Sequence, residues 1–406
     1  MTDLPIIVVG AGLAGLRAAE QLRAAGDTGP IVVVGRETHP PYNRPPLTKD
    51  ALKNGVDVTV LHYRQRPNTA DVVWRLGESV EAADLDARTT TVGSGDVLAY
   101  RGLVIATGVG TRRLPLDAPV EWRHGIRTVD DAAALHSALQ PGRQVVVLGA
   151  GFVGTEVAAT ATQLGCKVHV VDPLPLPLVR ALGPVVGAEA QRRHEEHGVR
   201  FHLGRSVVRL EGSDTVERVV LDDGTVLSAD VVVEAVGSVP HVEWLAGTGL
   251  DLADGVACDA ALHPLRDGRP VLDVVALGDV ARFPVPGFGT VRIEHWNWPT
   301  EIAAHAARSL LAGIAGEPEP EAPFVPMPMF WTDQWGVRFQ SIGMPHLGVA
   351  DVRVLSGELD GECAVGYHDS TGRLVGVVLI GLARELLTYR ARIADERPTT
   401  TLATAR

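Results

Sequence analysis

The hydrophobic pattern of the chain is a series of short, unbroken apolar runs that close on glycine, with helical spacing between them. Pro5-Ile6-Ile7-Val8-Val9 is such a run and leads directly into Gly10. Consecutive β-branched residues without alternation predict a strand covered on both faces, as in a parallel sheet. From Leu13 to Ala25 the spacing becomes helical through Leu16, Ala19 and Leu22, and Gly26 supplies the stop. Ile31-Val32-Val33-Val34 predicts the next strand and completes a βαβ unit.

The arrangement then repeats. Gln144 to Leu148 predicts a strand, Thr155 to Leu164 a helix, Gly165 its stop, and Lys167 to Val171 a further strand. Two other apolar runs end in small-residue turns, Tyr100 to Gly108 and Asp230 to Gly237. A third, Val274 to Ala281, carries Asp279 just past the strand and is expected to return to the first sheet. The second unit is then an insertion within the first. Gly316 to Pro323 is a Pro/Glu linker. Beyond it, strands are predicted at Val337–Ile342, Val349–Leu355, Ala364–His368 and Leu374–Ile380, with a helix from Ala383 to Ala391. The expected fold class is α/β, with two Rossmann-like dinucleotide-binding domains and a C-terminal α+β interface domain. The predicted division is 1–108 with 235–323, then 109–234, then 324–406.

Both units carry G-x-G-x-x-G between strand and helix: Gly10, Gly12 and Gly15, then Gly149, Gly151 and Gly154. The first glycine allows a tight turn, the second lets the backbone approach a pyrophosphate, and the third lets helix and strand pack closely. The helix N-terminus offers unpaired N–H groups to the phosphates. An acid at the end of the following strand, Glu37 and Asp172 respectively, is placed to accept from ribose hydroxyls. Two such units point to a protein that passes electrons between dinucleotides.

Composition narrows this further. The 406 residues carry a net charge of −12, which argues against a nucleic-acid partner. No apolar run approaches the ~20 residues of a membrane helix, and the first residues carry no basic or cleavage pattern. Cys166, Cys258 and Cys363 lie far apart, so neither a disulfide framework nor metal-type spacing is expected. A cytoplasmic protein without metal is the resulting expectation. Arg373, Arg384, Arg390 and Arg392 could form a basic patch for an acidic partner, or an ordinary solvated face.

The order of the remaining motifs is more specific than any of them alone. After the first glycine loop come Pro41-Tyr42-Asn43-Arg44-Pro45-Pro46-Leu47-Thr48-Lys49, Ala106-Thr107-Gly108, Leu277-Gly278-Asp279, Glu294-His295-Trp296 and Phe330-Trp331-Thr332-Asp333-Gln334. Over essentially its whole length the chain resembles the NADH-dependent ferredoxin reductases that serve oxygenases. That resemblance implies the glutathione reductase fold, FAD and NADH as cofactors, and a separate iron–sulfur ferredoxin as acceptor. The implied form is a monomer or weak homodimer.

The resemblance also implies roles. Gly10, Gly12, Leu13, Ala14 and Gly15 would bind the FAD pyrophosphate, with Glu37 on the adenosine ribose and Arg36 beside it without an assigned task. Arg44 would face the phosphates, Val80 the adenine, and Arg127 another part of FAD. Ala106, Thr107, Gly108, Val280 and His295 join these contacts, with Asp279 at the ribityl chain and Trp296 near the isoalloxazine. Lys49 would lie near the flavin N5, where a cation stabilises negative charge. Gly149, Gly151, Phe152, Val153, Gly154 and Gly237 would hold NADH, and Glu156 would contact its nicotinamide amide. Lys49, Glu156 and Trp296 are the catalytic candidates. Asp172 favours NADH over NADPH, with Arg180 as the nearest cation.

Plain structural roles compete at several positions. Arg44 and Lys49 could be solvated, Asp279 an N-cap, Glu156 a first-turn acid, and Trp296, Trp298, Trp331 and Trp335 packing aromatics. The absence of cysteine between Met1 and Gly165 argues against thiol chemistry beside a flavin. The competing functions are an NADH oxidase, a rubredoxin reductase, or an NADH-sensing flavoprotein of the apoptosis-inducing-factor type.

Overall fold

The computed structural model describes residues 4–317 and 324–397. The linker segment 318–323 therefore lies outside the described residues. The first sheet is built from β1 (Ile6–Val9), β2 (Ile31–Gly35), β3 (Val73–Leu76), β4 (Gly102–Ile105) and a late strand at Val274–Ala276, in the order 274–276, β4, β1, β2, β3. All pairings in it are parallel. Helix α1 (Leu13–Ala24) makes the crossover from β1 to β2. Every residue of β1 and β4 is buried, as unbroken apolar runs require. Fully burying a valine or isoleucine side chain stabilises by about 1.5–3 kcal/mol, so these strands anchor the core.

The second sheet repeats the plan. Its strands are β5 (Arg123–His124), β6 (Gln144–Leu148), β7 (Lys167–Asp172), β8 (Arg200–Leu203) and β9 (Val231–Glu234), ordered β8, β7, β6, β9, β5 and parallel throughout. Helix α2 (Val129–Ala138) begins in a capping box between Thr128 and Asp131. Helix α3 (Phe152–Gln163) starts three residues earlier than the sequence suggests, because Gly154 lies inside its first turn. Helix α4 (Val179–Glu196), which no sequence signal had indicated, bends at Gly183-Pro184. The late strand Val274–Ala276, now β10, then pairs with β4. Helix α5 (Trp298–Ala315) packs on α1. Trp298 is 1% exposed in this core, so it is a packing aromatic.

The third sheet is antiparallel: β11 (Met329–Gln334), β12 (Val337–Gly343), β13 (Asp351–Gly357), β14 (Cys363–His368) and β15 (Leu374–Ile380), ordered β11, β12, β15, β14, β13. β11 is the Phe330-to-Gln334 motif itself, which the sequence reading had not assigned to a strand. Its residue types do not alternate, but its burial does at the end: Thr332 and Gln334 are buried and Asp333 between them is not. β13 begins two residues later than expected. Helix α6 (Leu386–Glu396) follows a 3₁₀ turn at Ala383–Glu385, so it starts and ends later than expected.

The C-terminal arginines do not form a free basic patch. Arg373 pairs with Asp369, Arg384 with Glu362, Arg390 with Glu301 and Arg392 with Glu396. Each has a carboxylate within reach, which cancels the local field.

The glycine loops are fixed by backbone contact. A Cβ on Gly15 would lie 1.9 Å from the carbonyl oxygen of Gly10, whereas a Cβ on Gly12 would meet nothing within 4 Å. Gly15→Ala should therefore cost about 3 kcal/mol or more through forced backbone movement. Gly12→Ala should leave the urea unfolding midpoint of the apoprotein nearly unchanged. Equal losses in the two variants would refute this account of the loop.

Candidate functional site

A cavity of about 880 Å³ opens at the C-terminal ends of β1 and β2. This is where a parallel α/β sheet binds its ligand, and the volume is near the top of the roughly 300–1,000 Å³ range for small-molecule sites. Gly10, Gly12, Leu13 and Ala14 form one wall, with no side chain capping α1. The first N–H groups of a helix have no intrahelical partner, so this wall presents donors to the cavity. The open space over Gly12 and this uncapped terminus fit a pyrophosphate.

Charged pairs ring the cavity. Glu37, at the end of β2, binds Arg44 and accepts from the Tyr42 hydroxyl. That hydroxyl accepts in turn from Arg44 Nη1 at 2.9 Å and from Val129 N at 3.1 Å. Burial, with the Glu37 carboxylate, pushes the Tyr42 hydroxyl well above its ordinary pKa, so it stays protonated. Arg127 Nη2 lies 2.7 Å from Asp279 Oδ2. Burial raises the Asp279 pKa against the opposing pull of Arg127. Arg36 lines the cavity and contacts His241 Nε2 at 3.1 Å.

At the inner end, Lys49 Nζ lies 2.7 Å from Glu156 Oε2. Lys49 is held by the 3₁₀ turn Pro45–Thr48, and Glu156 by the first turns of α3. Glu156 also accepts from Thr48 Oγ1, and from Thr332 Oγ1 at 2.6 Å. Beside this pair stand aromatic side chains. Trp296 donates from Nε1 to Tyr63 Oη at 2.9 Å and meets Trp331 edge-on at 5.1 Å between centroids. Phe330 packs between Phe152 and His295, 4.7 Å from each. His295 Nδ1 is buried without a protein partner among the described residues, and burial pushes the ring's pKa down to about 3. An unsatisfied neutral imidazole on the wall is a further sign that the cavity is shaped for a polar ligand.

Of the sequence-derived candidates, Val80, Ala106, Thr107, Gly108, Val153, Glu156 and Trp296 also lie on this wall. Others do not. Gly15 is packed against the loop backbone. Val280 is wholly buried and off the wall. Gly149, Gly151 and Gly154 form the second loop outside this cavity, again with an uncapped helix start. Asp172 accepts from Ala150 N at 2.7 Å and Leu174 N at 2.8 Å, which braces that loop. Arg180 is exposed on α4, and Gly237 accepts from Arg112 N at its turn. Tyr42, Thr48, Tyr63 and His241 were missed; Tyr42 and Thr48 lie within the motif that named Arg44 and Lys49. Trp335 faces away and stacks on His197 at 4.0 Å, a packing role.

Cys166, Cys258 and Cys363 are buried and off the wall. Burial raises all three thiols above their ordinary pKa, opposite to what a reactive thiol requires. Among the described residues no group of acids, histidines and cysteines could hold a metal, and no helix is long and apolar enough to cross a membrane.

One buried histidine links the site to stability. Burial pushes His194 from 6.5 to about 4, so it is neutral when folded. The unfolded state then binds its proton first, and stability falls as pH drops from about 6.5 to 4, by roughly 3 kcal/mol at 1.36 per unit. His194→Gln keeps a donor and has no proton to gain. Urea midpoints should fall with acid more steeply in the wild type than in this variant; parallel curves would contradict the assignment.

The comparisons with known proteins agree along the chain. The pyridine nucleotide-disulphide oxidoreductase family profile matches residues 4–302, and the reductase C-terminal profile matches 329–405. The chain is 37% identical to an anthranilate 1,2-dioxygenase system ferredoxin–NAD(+) reductase component from Burkholderia cepacia, covering 97% of this chain and 95% of that one. It is 33% identical to rhodocoxin reductase from Rhodococcus erythropolis, covering 98% and 91%. It also superimposes on a crystal structure of the covalent putidaredoxin reductase–putidaredoxin complex with a TM-score of 0.88 at 29% identity, covering 98% and 94%. Fold, glycine loops and coverage together place this chain in the pyridine nucleotide-disulphide oxidoreductase family.

Proposed function

We propose that the chain is an FAD-dependent NADH:ferredoxin reductase of an oxygenase system. The observation that carries this reading is the cavity's inner end: a Lys49–Glu156 ion pair beside Trp296, Phe330 and Trp331, with no thiol on the wall. Relatives of the family that act on disulphides need cysteine there, and this chain has none.

The residues divide the work. The α1 N-terminus and Arg44 would hold the phosphates of FAD, Glu37 its adenosine ribose and Asp279 its ribityl chain, with Arg127, paired to Asp279, at another part of FAD. Bound there, FAD supplies the exchange between a hydride carrier and a one-electron acceptor. Lys49 keeps a positive charge at the inner end, and the aromatic wall excludes water from it. Glu156 orients the nicotinamide amide of NADH, while the second glycine loop carries the pyrophosphate. Asp172 meets the adenosine ribose, where a 2′-phosphate would face a carboxylate. The acceptor cluster is assigned to the ferredoxin; the three cysteines lie far apart in the sequence, and among the described residues no group of metal-ligating side chains gathers. No acid–base or nucleophilic group is required; positioning and electrostatics are the protein's contribution.

The domain division proposed is residues 1–108 with 235–323 for FAD, 109–234 for NADH and 324–406 for the interface domain. The pairing of β10 with β4 supports it. Buried free thiols suit a reducing compartment, so the proposed location is the cytoplasm.

Anaerobic stopped-flow absorbance tests the reading. NADH should bleach the flavin band rapidly, a [2Fe–2S] ferredoxin should restore it rapidly, and oxygen should restore it slowly. Fast return with oxygen and none with any ferredoxin would favour an NADH oxidase instead.

A further inference from the structure

The Phe330-to-Gln334 motif contributes more than an aromatic wall. On β11, Phe330, Thr332 and Gln334 share one face by the two-residue period, with Trp331 and Asp333 on the other. Thr332 and Gln334 are buried. Gln334 Nε2 donates to Thr155 Oγ1 at 2.8 Å and to Thr332 Oγ1 at 3.1 Å, and Gln334 Oε1 lies 2.8 Å from His194 Nε2.

The directions of these bonds are determined by chemistry. An ionised Glu156 only accepts, so the single Thr332 proton must point to Glu156 Oε1. Thr332 Oγ1 must then accept from Gln334, which requires the amide nitrogen on that side. The amide oxygen consequently faces His194, which must carry its proton on Nε2. Buried as it is, His194 is neutral, and its Nδ1 has no partner among the described residues. One arrangement of protons is consistent with every bond from His194 Nε2 to the Lys49–Glu156 pair.

We infer that Gln334 and Thr332 are positioning residues that fix the Glu156 carboxylate for NADH. Thr332 occupies Oε1 while Lys49 and Thr48 occupy Oε2, so the carboxylate cannot rotate. Gln334 holds Thr332 in the donating orientation and ties it to α3 and α4. Neither residue lies on the cavity wall, so both act through Glu156. The inference rests on the proposed contact between Glu156 and the nicotinamide amide.

The test uses the FAD-loaded protein with Thr332→Val, Thr332→Ser and Gln334→Leu. Thr332→Val and Gln334→Leu should raise KM for NADH and Kd for NAD⁺ by about tenfold, with kcat toward ferricyanide within about twofold, the pattern of lost uniform binding. Thr332→Ser, which keeps the hydroxyl, should stay close to wild type. FAD content should change little in Thr332→Val, which separates a loss of NADH binding from a loss of FAD. Unchanged KM and Kd in Thr332→Val would overturn the inference, as would equal losses in the Val and Ser variants, or losses that track FAD release. If Gln334→Leu does not fold, the Thr332 pair decides alone. A wild-type protein that NADH does not reduce would instead sink the functional reading on which the inference stands.

Discussion

One buried carboxylate sets the terms for the rest of this molecule. Glu156 is 6% exposed, and an ion withdrawn from water costs several kcal/mol unless its oxygens are fully engaged. Its partners come from far apart in the chain: Lys49 and Thr48 from the turn after the first βαβ unit, and Thr332 from the third sheet. Satisfying Glu156 therefore requires that all three sheets be folded and docked. Removing one partner leaves a charge uncompensated at their meeting point, so the cavity's inner end and the docking of the sheets are stabilised by the same bonds.

The other ion pairs of the cavity have a different character. Glu37–Arg44 and Asp279–Arg127 bring together groups for which contacts to a dinucleotide are proposed. Pairing them in the protein itself offsets each charge with its opposite. Tyr42, held protonated by burial and its acidic neighbour, connects the first pair to the start of α2. Arg44 and Arg127 are thus oriented by carboxylates of the protein itself.

Much of this was legible in the sequence because it rests on local rules. The unbroken runs at Ile6–Val9 and Gln144–Leu148 announce strands covered on both faces, and the glycine spacings announce the turns that follow. Arg44 and Lys49, singled out by their motif, both line the cavity. What was not legible depends on long-range pairing. The C-terminal arginines read as a cluster only until Asp369, Glu362, Glu301 and Glu396 are seen beside them. β11 was overlooked as a strand because its alternation joins tryptophan and aspartate to phenylalanine, threonine and glutamine, so neither face looks uniformly apolar. Val280 follows Asp279 in sequence but points into the core, and only the backbone direction after β10 decides that.

The alternation of β11 separates two sets of demands on adjacent residues. Thr332 and Gln334 answer to the buried network, where loss of the hydroxyl or of the amide changes what holds the carboxylate. Asp333 pairs with Arg338 at the surface, and the Arg338 guanidinium lies over the Trp331 ring at 5.7 Å. Asp333 can be exchanged without moving the inner residues, because the pleat isolates it, whereas Trp331 on the same side lines the cavity and meets Trp296. A lineage could therefore retune what meets the outside of this strand one position at a time while the inside stays constant. An insertion of a single residue would do the reverse, turning tryptophan inward and the amide outward, and so this short strand tolerates variety in identity but none in length.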